Sequence, residues 1–183
     1  MKKFFTARNI AQLALLIALY FVLDRISLFT IPVSFLKISF AFIPVIVAAM
    51  LFGPVGGALV NGLGDLIGAL VLPFGPYHPG FTICGALIGA CFGFFLHMDS
   101  KTFKNNENPR VWPNVIVPVV FGVLVGMFLN TLWVAQLYSS KTYWGYFVPR
   151  AVQEVVIGAL KLILTPLVLA PLARKLRKLG YRR

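Results

Sequence analysis

Residues 38–72 have the sequence ISFAFIPVIVAAMLFGPVGGALVNGLGDLIGALVL, in which Asp65 is the one charged side chain. The apolar run is broken at Gly53-Pro54, because proline lacks a backbone donor and disfavours helix in the residue before it. A membrane span takes roughly 20 mainly apolar residues. We therefore expect two short spans, over residues 38–52 and 55–72, joined as a tight helical hairpin.

The rest of the chain has the same apolar character. Of its 183 residues, 59% are hydrophobic and 12% are charged, against about 25% charged in a soluble domain. This composition excludes a water-soluble domain. Charges, Gly/Pro pairs and polar clusters delimit four more spans, at residues 8–28, 80–98, 112–138 and 147–173. The sequence therefore predicts an all-α membrane protein with six transmembrane helices and a single domain over residues 1–183.

The distribution of Lys and Arg predicts the orientation. With the N-terminus inside, 12 of the 17 basic residues lie on the cytoplasmic side, four lie on the opposite side, and Lys161 falls within the last span. The positive-inside rule therefore predicts cytoplasmic N- and C-termini. Topology and anionic headgroups of the lipid bilayer explain the net charge of +12, so we expect no nucleic-acid partner.

Ionisable groups inside an apolar bundle are costly and tend to mark a functional cavity. Five are expected toward the outer side: Asp24, Arg25, Asp65, Arg150 and Glu154. Asp65 is the most informative, since glycines flank it and Asn61 lies one helical turn away on the same face. We expect Asn130 and Gln153 to face the same cavity. In the alternative interpretation, Asp65 pairs with an arginine and holds the bundle closed.

The segment Leu72-Pro-Phe-Gly-Pro-Tyr-His-Pro-Gly80 is an aromatic, proline-stiffened loop. Such a loop suits a lid over a flat apolar ligand, because aromatic faces stack on planar rings and prolines reduce the ordering cost. It equally suits an interfacial turn that places Tyr77 and His78 at the level of the headgroups. The loop alone does not favour either.

Small residues recur every four positions on the first span, at Ala7, Ala11, Ala14 and Ala18. This spacing forms one small-residue face, which favours either packing within the chain or contact with a partner membrane protein.

The sequence offers no candidate site for catalysis or for metal binding. His78 and His97 fall at opposite ends of one predicted span, and Cys84 and Cys91 are two turns apart, too distant for a disulfide. No serine can meet a histidine at depth, and no nucleotide-binding glycine loop is present. We expect no enzyme, no metal and no cofactor.

Several segments resemble the substrate-binding S component of energy-coupling factor (ECF) vitamin transporters, and in particular the folate-type family. They are Ala14-Leu-Leu-Ile-Ala18, Met50-Leu-Phe-Gly-Pro-Val-Gly-Gly-Ala58, Gly64-Asp65-Leu-Ile-Gly-Ala-Leu70 and Pro73-Phe-Gly-Pro-Tyr-His-Pro-Gly-Phe-Thr82. The resemblance implies a high-affinity vitamin binder of the bacterial cell (inner) membrane that has no ATPase of its own. It also implies docking through Ala14 and Ala18 on an ECF module, which is a transmembrane T component with two cytoplasmic ATPases. Ala11 extends that docking stripe.

For a folate, the resemblance implies roles for particular residues. Asp65 would accept the adjacent N–H donors of the pterin, and Arg25, Lys37 or Arg150 would meet the glutamyl carboxylates. The stacking candidates are Tyr20, Phe74, Tyr77 and Trp144, and the further substrate-binding candidates are Asn61, His78 and Asn130.

Other functions remain open at this point. The ligand can be another vitamin or a nucleobase precursor. A stand-alone, proton-coupled secondary transporter would use Asp65 and Glu154 as a proton relay.

Overall fold

The structure is a computed structural model that describes residues 6–25, 39–73, 75–97, 111–138 and 142–178. These residues form helices and no strand. The helices are α1 (Ala7–Arg25), α2 (Phe42–Val71), α3 (Pro79–Leu96), α4 (Val111–Val125), α5 (Thr131–Tyr138) and α6 (Tyr143–Lys178). A π-helical segment, Gly126–Asn130, joins α4 to α5, so that these three elements form one continuous rod.

Five helical segments in the described part of the chain are long and apolar enough to cross a membrane: Ala7–Arg25, Phe42–Val71, Pro79–Leu96, Asn114–Tyr138 and Tyr143–Leu172. The predicted all-α membrane class is confirmed. The sequence predicts six spans because it divides α2 into two.

Helix α2 is broken at Gly53, whose backbone angles are φ 69° and ψ −155°. Glycine suits this left-handed conformation because it has no Cβ. Before the break, Ser39 Oγ donates a hydrogen bond to the carbonyl of Leu23 at 3.4 Å. After it, Gly68 packs directly against the guanidinium of Arg25. Both ends of α2 therefore lie beside the last turn of α1, and the helix folds back at Gly53.

The bundle therefore has an Arg25 end, where α1 finishes, and a Gly53 end, where α2 reverses. Helix α3 runs antiparallel along the second half of α2, with Gly89 against Gly57 and Gly93 against Gly53. The backbones at Gly57 and Gly89 are too close for any side chain, which is how small residues pack helices in lipid.

Two apolar clusters hold the helices together. One joins α2, α3, α4 and α6 through Ile46, Met50, Phe92, Leu96, Val115, Val119 and Leu169. The other packs α1 on α2 through Leu13, Val45, Ala48, Phe52 and Val60. Polar side chains collect toward the Arg25 end, where the cavity lies.

Candidate ligand-binding cavity

A cavity of about 300 Å³ lies between the helices, at the small end of the range for ligand pockets. Residues from α1, α2, α3, α4, the π-helical segment and α6 line it. They are Tyr20, Asp24, Ser39, Ala41, Phe42, Val45, Asn61, Asp65, Phe81, Gly85, Ile88, Phe92, Gly122, Gly126, Asn130, Arg150, Gln153, Glu154, Ile157 and Lys161.

The acidic wall of the cavity is built by α1 and α2. Thr82 Oγ1 donates a hydrogen bond to Asp65 Oδ2 at 2.8 Å. The Tyr77 hydroxyl lies 3.0 Å from Thr82 Oγ1, and it is the donor there because the threonine proton points to Asp65. Asp24, the second acid, lies 3.4 Å from Arg25 Nε. Asp65 is thus oriented by a hydroxyl chain that begins in the loop before α3.

Asn61 couples this wall to α3. Its Nδ2 donates to the carbonyl of Gly85 at 2.7 Å, so its side chain both lines the cavity and joins α2 to α3. The ring of Tyr20 fills the space beside Gly64. The local sequence produces this wall because glycines at the α2 surface let the neighbouring side chains approach.

The basic wall is formed by α6. Arg150, Glu154 and Lys161 all line the cavity, as positions i, i+4 and i+11 of one helix face. Arg150 Nη2 lies 3.7 Å from Glu154 Oε1, and Arg150 Nε donates to Thr131 Oγ1 at 3.2 Å. Arg150 is 8% exposed and Glu154 is 9% exposed, so water screens their interaction weakly.

The π-helical segment aligns the groups opposite α6. In a π turn the hydrogen bond joins residues five apart, which brings Gly126 and Thr131 together, and Thr131 Oγ1 donates to the Gly126 carbonyl at 3.4 Å. The carboxylate of Glu154 occupies the place where a side chain at position 126 would lie. This segment therefore lies against two partners of Arg150, Thr131 and Glu154. Asn130 also lines the cavity, and its Oδ1 is buried without a hydrogen-bond partner among the described residues.

Five of the predicted substrate-binding residues are brought together in the wall: Tyr20, Asn61, Asp65, Asn130 and Arg150. Tyr77 is exposed and is linked to Asp65 through Thr82. Lys37 and Phe74 lie outside the described residues.

Three other predicted residues do not line the cavity. Arg25 packs beside Gly68 and Asp24. His78 stacks on Trp133, with ring centroids 4.7 Å apart, and its Nδ1 accepts the backbone N–H of Gly80. Trp144 is 67% exposed, beside other aromatic rings of α6.

The interpretation of the sequence missed several functional candidates. Thr82 orients Asp65, Phe81 and Phe92 supply apolar wall, and Gly126 provides room for Glu154. Lys161 had a usable signal, since its spacing from Arg150 and Glu154 places it on their helix face.

The alanine stripe of α1 lies at the surface. Ala7, Ala11, Ala14 and Ala18 are all exposed, next to large exposed side chains such as Leu15 at 70%. No described helix of this chain covers the stripe.

A helical bundle with membrane-spanning segments and a polar internal cavity defines a membrane-embedded protein that binds a small molecule. The family model for the ECF transporter substrate-specific component matches residues 8–169. The chain belongs to this family, as the resemblance predicted, and the family is one of transporter components rather than enzymes.

Curated relatives are similar over most of their length. The folate transporter FolT of Clostridium novyi (strain NT) is 30% identical over 79% of this chain and 78% of the relative. FolT of Streptococcus mutans is 26% identical over 94% of this chain and 92% of the relative. A solved structure described as FolT bound with folic acid superposes with a TM-score of 0.72 at 32% identity, covering 88% of this chain and 90% of the other.

Proposed function

We propose that this S component binds folate and delivers it to an ECF module for ATP-driven import across a bacterial inner membrane. The observation that carries the proposal is the cavity, with acids on α1 and α2 facing cations on α6. Folate has the matching polarity, because its pterin edge presents N–H donors and its glutamyl tail presents carboxylates. The relatives named FolT and the neighbour bound with folic acid support the same ligand.

In this proposal, Asp65 accepts the paired donors of the pterin, and Arg150 meets a glutamyl carboxylate. Parallel hydrogen bonds to a charged group are stronger than neutral ones and fix the orientation of the ring. Of the cations considered from the sequence, Arg150 is the one in the described wall. Tyr20 and Phe81, both in the wall, supply apolar faces for the ring system.

We assign six spans to the chain by counting the two halves of α2 separately, since α2 folds back at Gly53. The N- and C-termini are then cytoplasmic, in agreement with the distribution of basic residues. The Arg25 end and the mouth of the cavity face outward. The whole chain, residues 1–183, serves as one substrate-binding domain.

Docking on the T component uses the exposed stripe of Ala11, Ala14 and Ala18. Small side chains let a partner helix approach the backbone of α1 closely. In lipid, this close approach stabilises the helix pair through dispersion contacts. The two cytoplasmic ATPases of the module supply the energy for release of the vitamin on the inner side.

Uptake by proteoliposomes tests this function. The purified chain is reconstituted with or without an ECF module, and radiolabelled folate is supplied outside with ATP inside. We expect accumulation only with the module and ATP. Accumulation by the chain alone in a proton gradient would contradict the proposal and favour a stand-alone carrier.

A further inference from the structure

Helix α6 carries a third ionisable residue in the cavity that the proposed function leaves unused. Lys161 follows Glu154 by seven residues, and both side chains line the cavity. At a rise of 1.5 Å per residue, Lys161 lies about 16 Å along the helix axis from Arg150. It is therefore the ionisable residue of the wall nearest the Gly53 end, among the residues that the structure describes.

The surroundings of Lys161 make its charge costly. Lys161 is half-buried, and its side chain lines the cavity within a membrane-spanning helix. A lysine within a membrane span is rare and normally has a functional or pairing reason. The same cavity is lined by the apolar side chains Ile88, Phe92 and Ile157, which offer the ammonium no acceptor.

Pairing within the chain does not satisfy Lys161. No carboxylate of a described residue comes within ion-pair distance of its ammonium. Glu154 instead lies 3.7 Å from Arg150. A charge within a membrane span is unfavourable unless it finds a polar partner. An ammonium group is also a donor only, with three N–H bonds and no acceptor. The N–H donors of Lys161 are therefore available to an acceptor oxygen of a ligand that enters the cavity.

We propose that Lys161 binds an acceptor oxygen of the ligand at the inner end of the cavity. This inference rests on the proposed function and extends it, by making Lys161 a residue that determines specificity. Folate has acceptor oxygens on its ring oxo group, its benzoyl carbonyl and its glutamyl carboxylates, and the proposal is that Lys161 binds the first or the last of these, at one end of the ligand. A buried donor left without its acceptor discriminates strongly between related ligands, so analogues that lack one group reveal which oxygen is bound.

The experiment is a calorimetric titration of wild type and Lys161→Met with three ligands. Folic acid has both oxygen groups, pteroic acid lacks the glutamyl group, and the 4-amino analogue of folic acid replaces the ring oxo group by a donor. Loss of one charged hydrogen bond should weaken binding about 10- to 100-fold. If Lys161 binds the ring oxo group, the variant loses affinity for folic and pteroic acids only. If it binds the glutamyl carboxylates, the variant loses affinity for folic acid and the 4-amino analogue only.

Two further variants keep the result interpretable. Lys161→Arg retains a cationic donor and should recover most of the affinity for folic acid. Ile163→Met changes a lipid-facing side chain that is 59% exposed and should bind all three ligands like wild type. An equal loss for every ligand with Lys161→Met, or no loss, would overturn the inference. Failure of the wild type to bind folic acid would instead overturn the proposed function.

Discussion

The contact between Gly126 and Glu154 leads to a prediction with a matched control one helical turn away. In Gly126→Ala, the new Cβ would overlap the Glu154 carboxylate. In Gly122→Ala, on the same cavity-facing side, the new Cβ would meet only Ile88 Cγ2, at an ordinary 3.5 Å. Both changes add the same methyl group and gain the same helix propensity, about 1 kcal/mol. The difference between the two variants therefore isolates the displacement of Glu154.

The expected difference in the free energy of unfolding follows from the interactions that Glu154 would lose. Its carboxylate can rotate away, at about 0.5–1.5 kcal/mol for a strained rotamer. It then leaves Arg150, and a hydrogen bond or ion pair to a charged group contributes roughly 1.5–3 kcal/mol. The two variants should thus differ by about 2–4.5 kcal/mol in the free energy of unfolding. At roughly 2–4 °C per kcal/mol for a chain of this size, Gly126→Ala melts about 4–18 °C below Gly122→Ala.

A thiol-reactive fluorophore provides the assay. In a Cys91→Ser background, which removes the half-buried second thiol, the remaining Cys84 is 2% exposed and reacts only when the bundle unfolds. The fluorescence rise during heating then gives the melting temperature in detergent. Gly122→Ala should melt at or slightly above wild type. Equal melting temperatures for the two alanine variants would refute the reasoning, because Glu154 would then not occupy the space beside Gly126.

Three further predictions concern binding and docking. Asp65→Asn keeps the shape of the side chain but removes its charge, and should weaken folate binding about 10- to 100-fold by calorimetry; unchanged affinity would exclude Asp65 as the pterin acceptor. Thr131→Val removes the hydroxyl that accepts a hydrogen bond from Arg150, and should weaken folate binding about 5- to 10-fold. Thr131→Ser keeps the hydroxyl and should bind folate like wild type. Equal affinities for both variants would show that Thr131 does not position Arg150. Ala14→Leu should abolish folate uptake with the ECF module while folate binding is retained. Leu15→Phe enlarges a neighbouring exposed side chain and should leave uptake intact. Equal uptake by the two variants would contradict docking through the alanine stripe.

The sequence predicted the fold where strong physical constraints act on single residues. Apolar runs fixed the helices to within a few residues, for example α3 at Pro79–Leu96 against a predicted 80–98. The Gly53-Pro54 pair predicted the break in α2, because few other sequences permit so abrupt a reversal. Asp65 and Arg150 were expected in a common cavity since a charge in a membrane span needs a polar environment, and the structure places both there.

Other features depend on information that residue types do not contain. The π-helical segment shifts the register of the helix by a single residue, and no residue type in Gly126–Asn130 predicts this shift. Trp144 was expected to stack on a ligand, but the same ring suits a membrane interface, and it is exposed. Thr82 orients Asp65 across two helices, a pairing that helix periodicity alone does not predict.

The central claim is that the cavity between α2 and α6 binds folate, and direct titration tests it. Detergent-purified protein is titrated calorimetrically with folate, thiamine, riboflavin and pantothenate under the same conditions. The account predicts tight binding of folate with one ligand per chain, and no measurable binding of the other three vitamins. Tight binding of a different vitamin, or heat from none of the four, would contradict it.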